Sequence, residues 1–156
     1  MSVRTITHAS FVVTRSYPAP PARVFTAFAD PKAKNQWFLG PDTWERSTHQ
    51  LDFRVGGRER LSGGPASGPV HTYQGRYQDI VPDERIVLTY EMHLNETRAS
   101  VSLATLEFTP TPDGGTRLVY TEQGAFLDGI ESPTAREQGT ADLLNALGEY
   151  LRRSAE

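Results

Sequence analysis

The sequence predicts an α+β fold in which one curved antiparallel sheet of seven strands wraps around a long C-terminal helix. A strand and two short helices open the chain, six segments with two-residue alternation follow, and only the last twenty or so residues return to helical periodicity. A sheet of that size twists and curls. One helix, only about 10–12 Å across, cannot cover its concave face. The order of elements therefore predicts a cavity between the sheet and the helix.

The N-terminal segment supplies the first strand and both short helices. Alternation and β-forming residues predict a strand from Phe11 to Tyr17, which the following prolines end. The first helix has one apolar face, formed by Val24, Phe25 and Phe28. Asp30-Pro31 then starts a shorter helix, which Gly40-Pro41 ends.

The middle of the chain predicts three hairpins. Two-residue alternation begins at Thr43, and Gly56-Gly57 predicts a tight turn with positive φ angles before a strand over residues 58–62. A flexible loop is expected from Gly63 to Pro69. Two longer hairpins are predicted over residues 70–94 and 98–123, and residues 124–132 are expected to form a loop.

A long amphipathic helix closes the chain. Leu143, Leu147 and Leu151 recur every four residues, which predicts one apolar face. Thr134 and Glu137 form a possible capping box at its start. Gly139 costs roughly 1 kcal/mol in a helix interior, so we expect the helix to pass close to the sheet there.

Composition limits the classes of partner. Of the 156 residues, 37% are hydrophobic and 22% charged, as in ordinary globular domains, and the formal charge of −3 gives no reason to expect nucleic acid or anionic membrane. The absence of cysteine excludes disulfides and thiolate catalysis. No secretory leader or membrane span is recognisable, so we expect one cytoplasmic domain over residues 1–156, with its core at about 11–152.

Several short motifs, taken together, resemble a known family. They are Ala19-Pro20, Val24-Phe25, Asp30-Pro31, Trp37-Phe38, the segment 52–57 (Asp-Phe-Arg-Val-Gly-Gly) and the hairpin from Gly75 through Pro82 to Val87. The chain resembles the AHSA-type branch (activator of heat-shock-protein ATPase homologue-like) of the START-like, or SRPBCC, superfamily. The resemblance implies the helix-grip fold over a hydrophobic tunnel. It leaves function open, because that superfamily includes lipid and hormone binders, polyketide aromatase/cyclases and co-chaperones.

The candidate site is the wall of the predicted cavity. Aromatic residues on the strand face that carries Tyr73 and Tyr77 suit an apolar ligand with a few polar anchor points. The expected lining residues are Phe25, Phe28, Trp37, Tyr73, Tyr77, Tyr90, Met92, Phe108, Leu143 and Leu147. Trp37 and Trp44 either plug or gate one end of the cavity, and we favour a plug.

No catalytic constellation stands out in the sequence. The histidines lack the spacing of a zinc pair, so no metal or cofactor is expected and solvent-facing strand positions are the default. His71 is a weak catalytic candidate, because it shares a strand face with the tyrosines. Glu122 is expected to form a surface ion pair with Arg117 or Arg15. Asp52 and Arg54 are expected to pair across the hairpin with Arg60 or Glu59.

Three functions remain open at this point. The first is binding of a small hydrophobic, ring-bearing ligand without catalysis. The second is an enzyme of the polyketide cyclase/dehydratase or hydrolase type, with tyrosine and histidine carrying protons. The third is a co-chaperone-like interaction module, for which a chaperone partner is not expected because the separate chaperone-binding module that the resemblance would require is absent from the sequence. A homodimer is also left open.

Overall fold

The computed structural model describes residues 3–40, 44 and 48–154. Seven strands form a single antiparallel sheet in the order β1-β7-β6-β5-β4-β3-β2. The strands are β1 (Ile6–Tyr17), β2 (Thr48–Leu51), β3 (Arg58–Gly63), β4 (His71–Val81), β5 (Arg85–Leu94), β6 (Thr97–Pro110) and β7 (Thr116–Leu127). The helices are α1 (Pro21–Ala29), α2 (Pro31–Lys34) and α3 (Pro133–Arg153). The predicted α+β, helix-grip architecture is confirmed.

The order of the strands follows from the short connections between them. Each of the strands β2 to β6 pairs with the next along the chain, and β1 adds to the far edge by pairing with β7 from Ile6 to Tyr17. The two short helices lie in the connection between β1 and β2, which joins opposite edges of the sheet. The chain thus has room to place helices against the concave face while every hairpin stays local.

The core joins α1 and the aromatic residues around it to the middle of the sheet. Phe28 packs edge-to-face against Trp37 and Phe108, with ring centroids 4.9 and 5.8 Å apart. Phe25 makes a similar contact with Phe108, at 5.7 Å. Such aromatic pairs contribute about 0.5–1.5 kcal/mol beyond the area they bury. This cluster holds α1 on the sheet.

Helix α3 runs for 21 residues, about 30 Å. Its buried stripe combines polar and apolar residues at helical spacing: Arg136, Thr140, Leu144, Leu147, Gly148 and Leu151. The C-terminal half packs closely on β1, where the Tyr17 hydroxyl donates to the Leu144 carbonyl at 2.7 Å. The N-terminal half carries the polar members of the stripe.

The predicted capping box is wrong. Ser132 caps α3, since its side chain accepts a hydrogen bond from the Ala135 amide at 3.0 Å. Pro133 then occupies the first turn, where a missing amide costs nothing.

Two strands are longer than predicted. β1 begins at Ile6 rather than Phe11, and β7 continues to Leu127, so residues 124–127 are not loop. Gly124 suggested a break, but it lies between β1 and β6 and pairs with Ala9 and Ser102. A Cβ at Gly124 would lie 2.9 Å from the Ser102 hydroxyl, so the glycine is needed for packing within the strand.

The predicted tight turn at Gly56-Gly57 is also wrong. β2 ends at Leu51, and a six-residue loop follows, closed by the Asp52 amide donating to the Arg58 carbonyl at 2.9 Å. Of these two glycines, Gly56 has a positive φ, of 83°, and Gly57 does not. The loop is longer because its backbone also bonds to β4, where the Gly56 amide donates to the Tyr77 carbonyl at 2.8 Å. The expected start of strand pairing at Thr43 lies outside the described residues.

The glycine of α3 that lies close to a neighbour is Gly148, not Gly139. A Cβ at Gly148 would lie 3.2 Å from Cε1 of Tyr17, whereas a Cβ at Gly139 would have no neighbouring atom within 4 Å. The expectation that α3 approaches the sheet closely at Gly139 is therefore wrong. In the part of the chain that the structure describes, no helix is long and apolar enough to cross a membrane.

This contrast gives a paired test. Gly139→Ala should raise the free energy of unfolding by about 0.5–1 kcal/mol, because alanine favours the helix and meets no clash. Gly148→Ala should give no gain or a loss, because the added methyl presses on Tyr17. Urea denaturation of both variants would measure this, and a larger gain at residue 148 than at residue 139 would contradict it.

Candidate functional site

A cavity of about 830 Å³ lies between α3, the concave face of the sheet and the segment that follows α2. Strands β3 to β7 form its floor, and one side of α3 forms its roof. Exposed residues of α3, among them Asp142 and Glu149, line its edge and mark an opening to solvent. The buried stripe of α3 packs in the core, and Gly139, Leu143 and Ala146 beside that stripe line the cavity.

The structure brings most of the expected lining residues together. Seven of the ten line the cavity: Phe28, Trp37, Tyr73, Tyr77, Tyr90, Met92 and Leu143. The other three, Phe25, Phe108 and Leu147, lie in the packed core, at 7%, 4% and 0% exposure. Leu147 is directed at the sheet, while Leu143, one turn earlier, faces the open space.

A buried carboxylate forms the polar centre of one wall. Glu122 of β7 is 1% exposed and accepts hydrogen bonds from Tyr90 at 2.7 Å, Ser102 at 2.8 Å and Tyr120 at 2.8 Å. The expected surface pair of Glu122 with Arg117 or Arg15 is wrong. Arg15 bonds instead to Asn145 on α3, at 2.9 Å.

Arg136 of α3 is the cationic partner of this carboxylate. Its Nη1 lies 3.4 Å from Glu122 and donates to the Tyr90 hydroxyl at 3.0 Å. Its Nη2 donates to Ser100 at 2.8 Å, and its Nε donates to Glu131 at 2.6 Å. Every nitrogen of the guanidinium thus has a partner, which is the condition for burying it.

A second buried carboxylate, Glu59 of β3, lies at the other side of the cavity. It is 2% exposed and accepts from Lys34 at 2.8 Å, from Tyr77 at 2.7 Å and from His49 at 2.7 Å. The Lys34 ammonium also lies 4.2 Å from the ring centroid of Phe38, a cation–π contact. Glu59 is therefore not a cross-strand partner of Asp52 and Arg54.

The charges around Glu59 keep it ionised. Burial by itself would raise the pKa of Glu59, but the charge of Lys34 and the hydrogen bonds from His49, Lys34 and Tyr77 outweigh burial and lower the pKa from 4.5 to about 2. The carboxylate joins β3 to α2 and β4. It therefore links the short helix to the sheet beside the cavity-lining residues Lys34 and Tyr77.

One feature of the sequence could have indicated that Glu59 and Glu122 are buried, namely their phase in the two-residue alternation of their strands. Glu122 is in phase with Leu118 and Tyr120, and Glu59 is in phase with Leu61, so each falls on the inner face. Arg136 is likewise in phase with Leu144 and Leu147 on α3. The charges of Glu59, Glu122 and Arg136 suggested that these side chains would face solvent. Their positions in the repeats of their elements instead place them on the buried side.

Two of the histidines depart from the solvent-facing default. His49 has a side chain only 3% exposed, and its ring bonds to Glu59 through Nε2 and to Asn35 through Nδ1. His71 lines the cavity and stacks on Trp44, with centroids 4.8 Å apart and planes at 16°. Among the described residues, no cluster of three or more His, Cys, Asp or Glu side chains could hold a metal ion.

The two tryptophans have different settings. Trp37 is 5% exposed, and its indole Nε1 donates to the Ala27 carbonyl at 3.1 Å, so its ring is fixed. Trp44 is partly exposed, and its ring packs on Gly40, where a Cβ would overlap the indole ring. Asp52 and Arg54, by contrast, pair with each other on the exposed loop, at 2.8 Å.

The family of the chain is decided by its match to a family model. A model described as activator of Hsp90 ATPase homolog 1-like protein matches residues 18–152. The chain belongs to this family. Its fold places it in the AHSA-type branch of the START-like superfamily, as the resemblance implied.

Several solved structures superpose on most of the chain. An uncharacterised protein from Rhizobium leguminosarum is 46% identical, with a TM-score of 0.92 over 98% of this chain and 100% of its own. Mll3558 from Rhizobium loti is also 46% identical, with a TM-score of 0.86 over 94% and 99%. CalU16 from Micromonospora echinospora, at 21% identity, TM-score 0.64 and coverage of 96% and 85%, shares the fold. No curated protein matches the chain.

The Glu59 cluster predicts a defined response to acid. Glu59→Gln should lower the free energy of unfolding at pH 7 by about 3 kcal/mol, because Lys34 would remain buried without a counter-ion. Since folding depresses the pKa of Glu59, its contribution is complete above about pH 4.5 and is lost as the pH falls towards 2.

Urea denaturation between pH 7 and pH 2.5 would measure both effects. The wild type should lose more stability than Glu59→Gln over the acid range. Glu107→Gln, at an exposed position of β6, is the matched control and should follow the wild type. Parallel acid curves for wild type and Glu59→Gln would contradict the assignment.

Proposed function

We propose that the protein binds a small, largely hydrophobic, ring-bearing ligand in the cavity beneath α3. The observation that carries this proposal is the cavity itself, which at about 830 Å³ falls within the range of roughly 300–1,000 Å³ common for small-molecule sites. An unfilled interior of this size forfeits packing that a folded chain otherwise gains. A guest molecule would restore it.

The composition of the wall supports an aromatic guest. Apolar rings and chains from Phe28, Trp37, Tyr90 and Met92 line the interior, and the buried cations Lys34 and Arg136 are already paired with carboxylates. Affinity would come chiefly from burying apolar ligand surface, at roughly 25 cal/mol per Å² before the costs of ordering.

We propose a binding rather than a catalytic role for His71. Its ring stacks flat on Trp44 at the edge of the cavity, and the two buried carboxylates are held by other side chains. A stacked imidazole with one polar edge suits contact with a ligand at the entrance. Cyclase and chaperone functions have no comparable geometric support among the described residues.

Binding can be tested with 2-ethylnaphthalene and 2-acetylnaphthalene by two-dimensional ¹H–¹⁵N NMR titration. We expect both compounds to bind at a Kd of about 0.1 mM or tighter. Leu143→Trp should weaken binding about tenfold or more, because the indole would occupy the cavity. Glu137→Trp, on the exposed side of the same helix, should bind like the wild type.

The pattern of shifts decides the outcome. Perturbed amides should lie on α3 and on strands β4 and β5. Failure of both compounds to bind, or equal binding by the two tryptophan variants, would overturn the proposal.

A further inference from the structure

The four tyrosines that line the cavity differ in what their hydroxyl groups contact. Tyr77 donates to Glu59 at 2.7 Å, while Tyr90 and Tyr120 donate to Glu122 at 2.7 and 2.8 Å. The hydroxyl of Tyr73 makes no hydrogen bond to any atom of residues 3–40, 44 or 48–154. Among these four tyrosines, Tyr73 is therefore the one whose hydroxyl group can still donate a hydrogen bond, as far as the described residues are concerned.

The position of this hydroxyl is fixed by packing. The Tyr73 ring lies over Gly75, where a Cβ would come within 3.0 Å of the hydroxyl oxygen. Its ring centroid is 5.5 Å from that of Phe38 and 4.9 Å from that of Tyr90. The glycine therefore allows the ring to lie along the sheet, and its two aromatic neighbours hold it there.

The Tyr73 oxygen is reached from the cavity. Among the described residues, the buried side-chain polar atom without a partner is Nδ1 of His93. The Tyr73 oxygen has no hydrogen-bond partner among the described residues and is not one of these fully enclosed atoms, and Tyr73 lines the cavity. Burial, together with the nearby Glu59 and other acidic groups, raises the pKa of Tyr73 well above its usual value, so the group stays protonated and can donate.

The deep wall of the cavity, where Lys34 and Arg136 lie, has no unpaired charge among the described residues. Both cations are already paired with carboxylates of the protein. Lys34 is neutralised by Glu59 at 2.8 Å, and Arg136 by Glu122 at 3.4 Å and Glu131 at 2.6 Å. A carboxylate or an ammonium carried to this deep wall, away from the exposed Asp142, Glu149 and Arg153 at the edge of the cavity, would lose its hydration and gain no counter-ion. Burying an unpaired charge in this way is strongly unfavourable.

We propose that Tyr73 anchors the ligand by donating a hydrogen bond to an acceptor oxygen, and that the ligand is a neutral aromatic compound with a carbonyl or ether oxygen. This proposal rests on the proposed function. It adds the residue that orients the ligand and the charge state that the cavity accepts.

Three naphthalenes of similar size test the proposal by NMR titration at pH 7. They are 2-acetylnaphthalene, which has an acceptor, 2-ethylnaphthalene, which has none, and 2-naphthoate, which is anionic. The wild type should bind the ketone about 2- to 10-fold more tightly than the ethyl compound, the range that one neutral hydrogen bond supports. It should bind the naphthoate more weakly than the ketone.

Tyr73→Phe should abolish the preference for the ketone and leave the affinity for the ethyl compound unchanged. That second affinity shows that the cavity is intact, so a loss through misfolding is recognisable. Tyr150→Phe, on α3 and outside the cavity wall, is the matched control and should keep the preference.

The outcomes separate the two proposals. If both neutral compounds bind but Tyr73→Phe retains the preference for the ketone, the anchoring role is overturned and the proposed function stands. Binding of naphthoate as tight as that of the ketone overturns the inference about charge. If neither neutral compound binds, both proposals fall.

Discussion

The buried contact between Arg136 and Glu122 joins the first turns of α3 to the centre of the sheet. A guanidinium can be buried only where each of its nitrogens finds an acceptor. Here Tyr90, Ser100, Glu122 and Glu131 supply those acceptors. They come from three neighbouring strands and from the segment before α3, so together they fix where the helix starts.

The other end of α3 is held by different means. Leu144, Leu147 and Leu151 pack into the core, and Tyr17 donates to the Leu144 carbonyl. Gly148 lets the helix approach the Tyr17 ring. Gly139, Leu143 and Ala146 line the cavity, so one side of α3 covers the open space while its buried stripe packs in the core.

The same polar groups that hold the fold also define the chemistry of the cavity. Glu59 with Lys34, and Glu122 with Arg136, pair their charges within the wall and use the hydroxyls of three tyrosines. The remaining wall is largely aromatic and aliphatic, and it carries the Tyr73 hydroxyl. Family membership establishes the architecture of this chain, whereas selectivity for a ligand has to come from such individual side chains.

The sequence by itself determined the element order, the antiparallel sheet and the aromatic face that carries Tyr73, Tyr77 and Tyr90, because these follow from local periodicity. It did not reveal that Glu59, Glu122 and Arg136 are buried, although their phase in the repeats was visible. A charged side chain is stable inside only if partners from distant segments converge on it, and Glu122 meets Arg136 only after β7 and α3 have packed together. Tertiary structure likewise decided which apolar residues are core, as at Leu147, and which face open space, as at Leu143. Alternation identifies the inner side of an element, but the distance to the opposite wall depends on how the whole sheet curves.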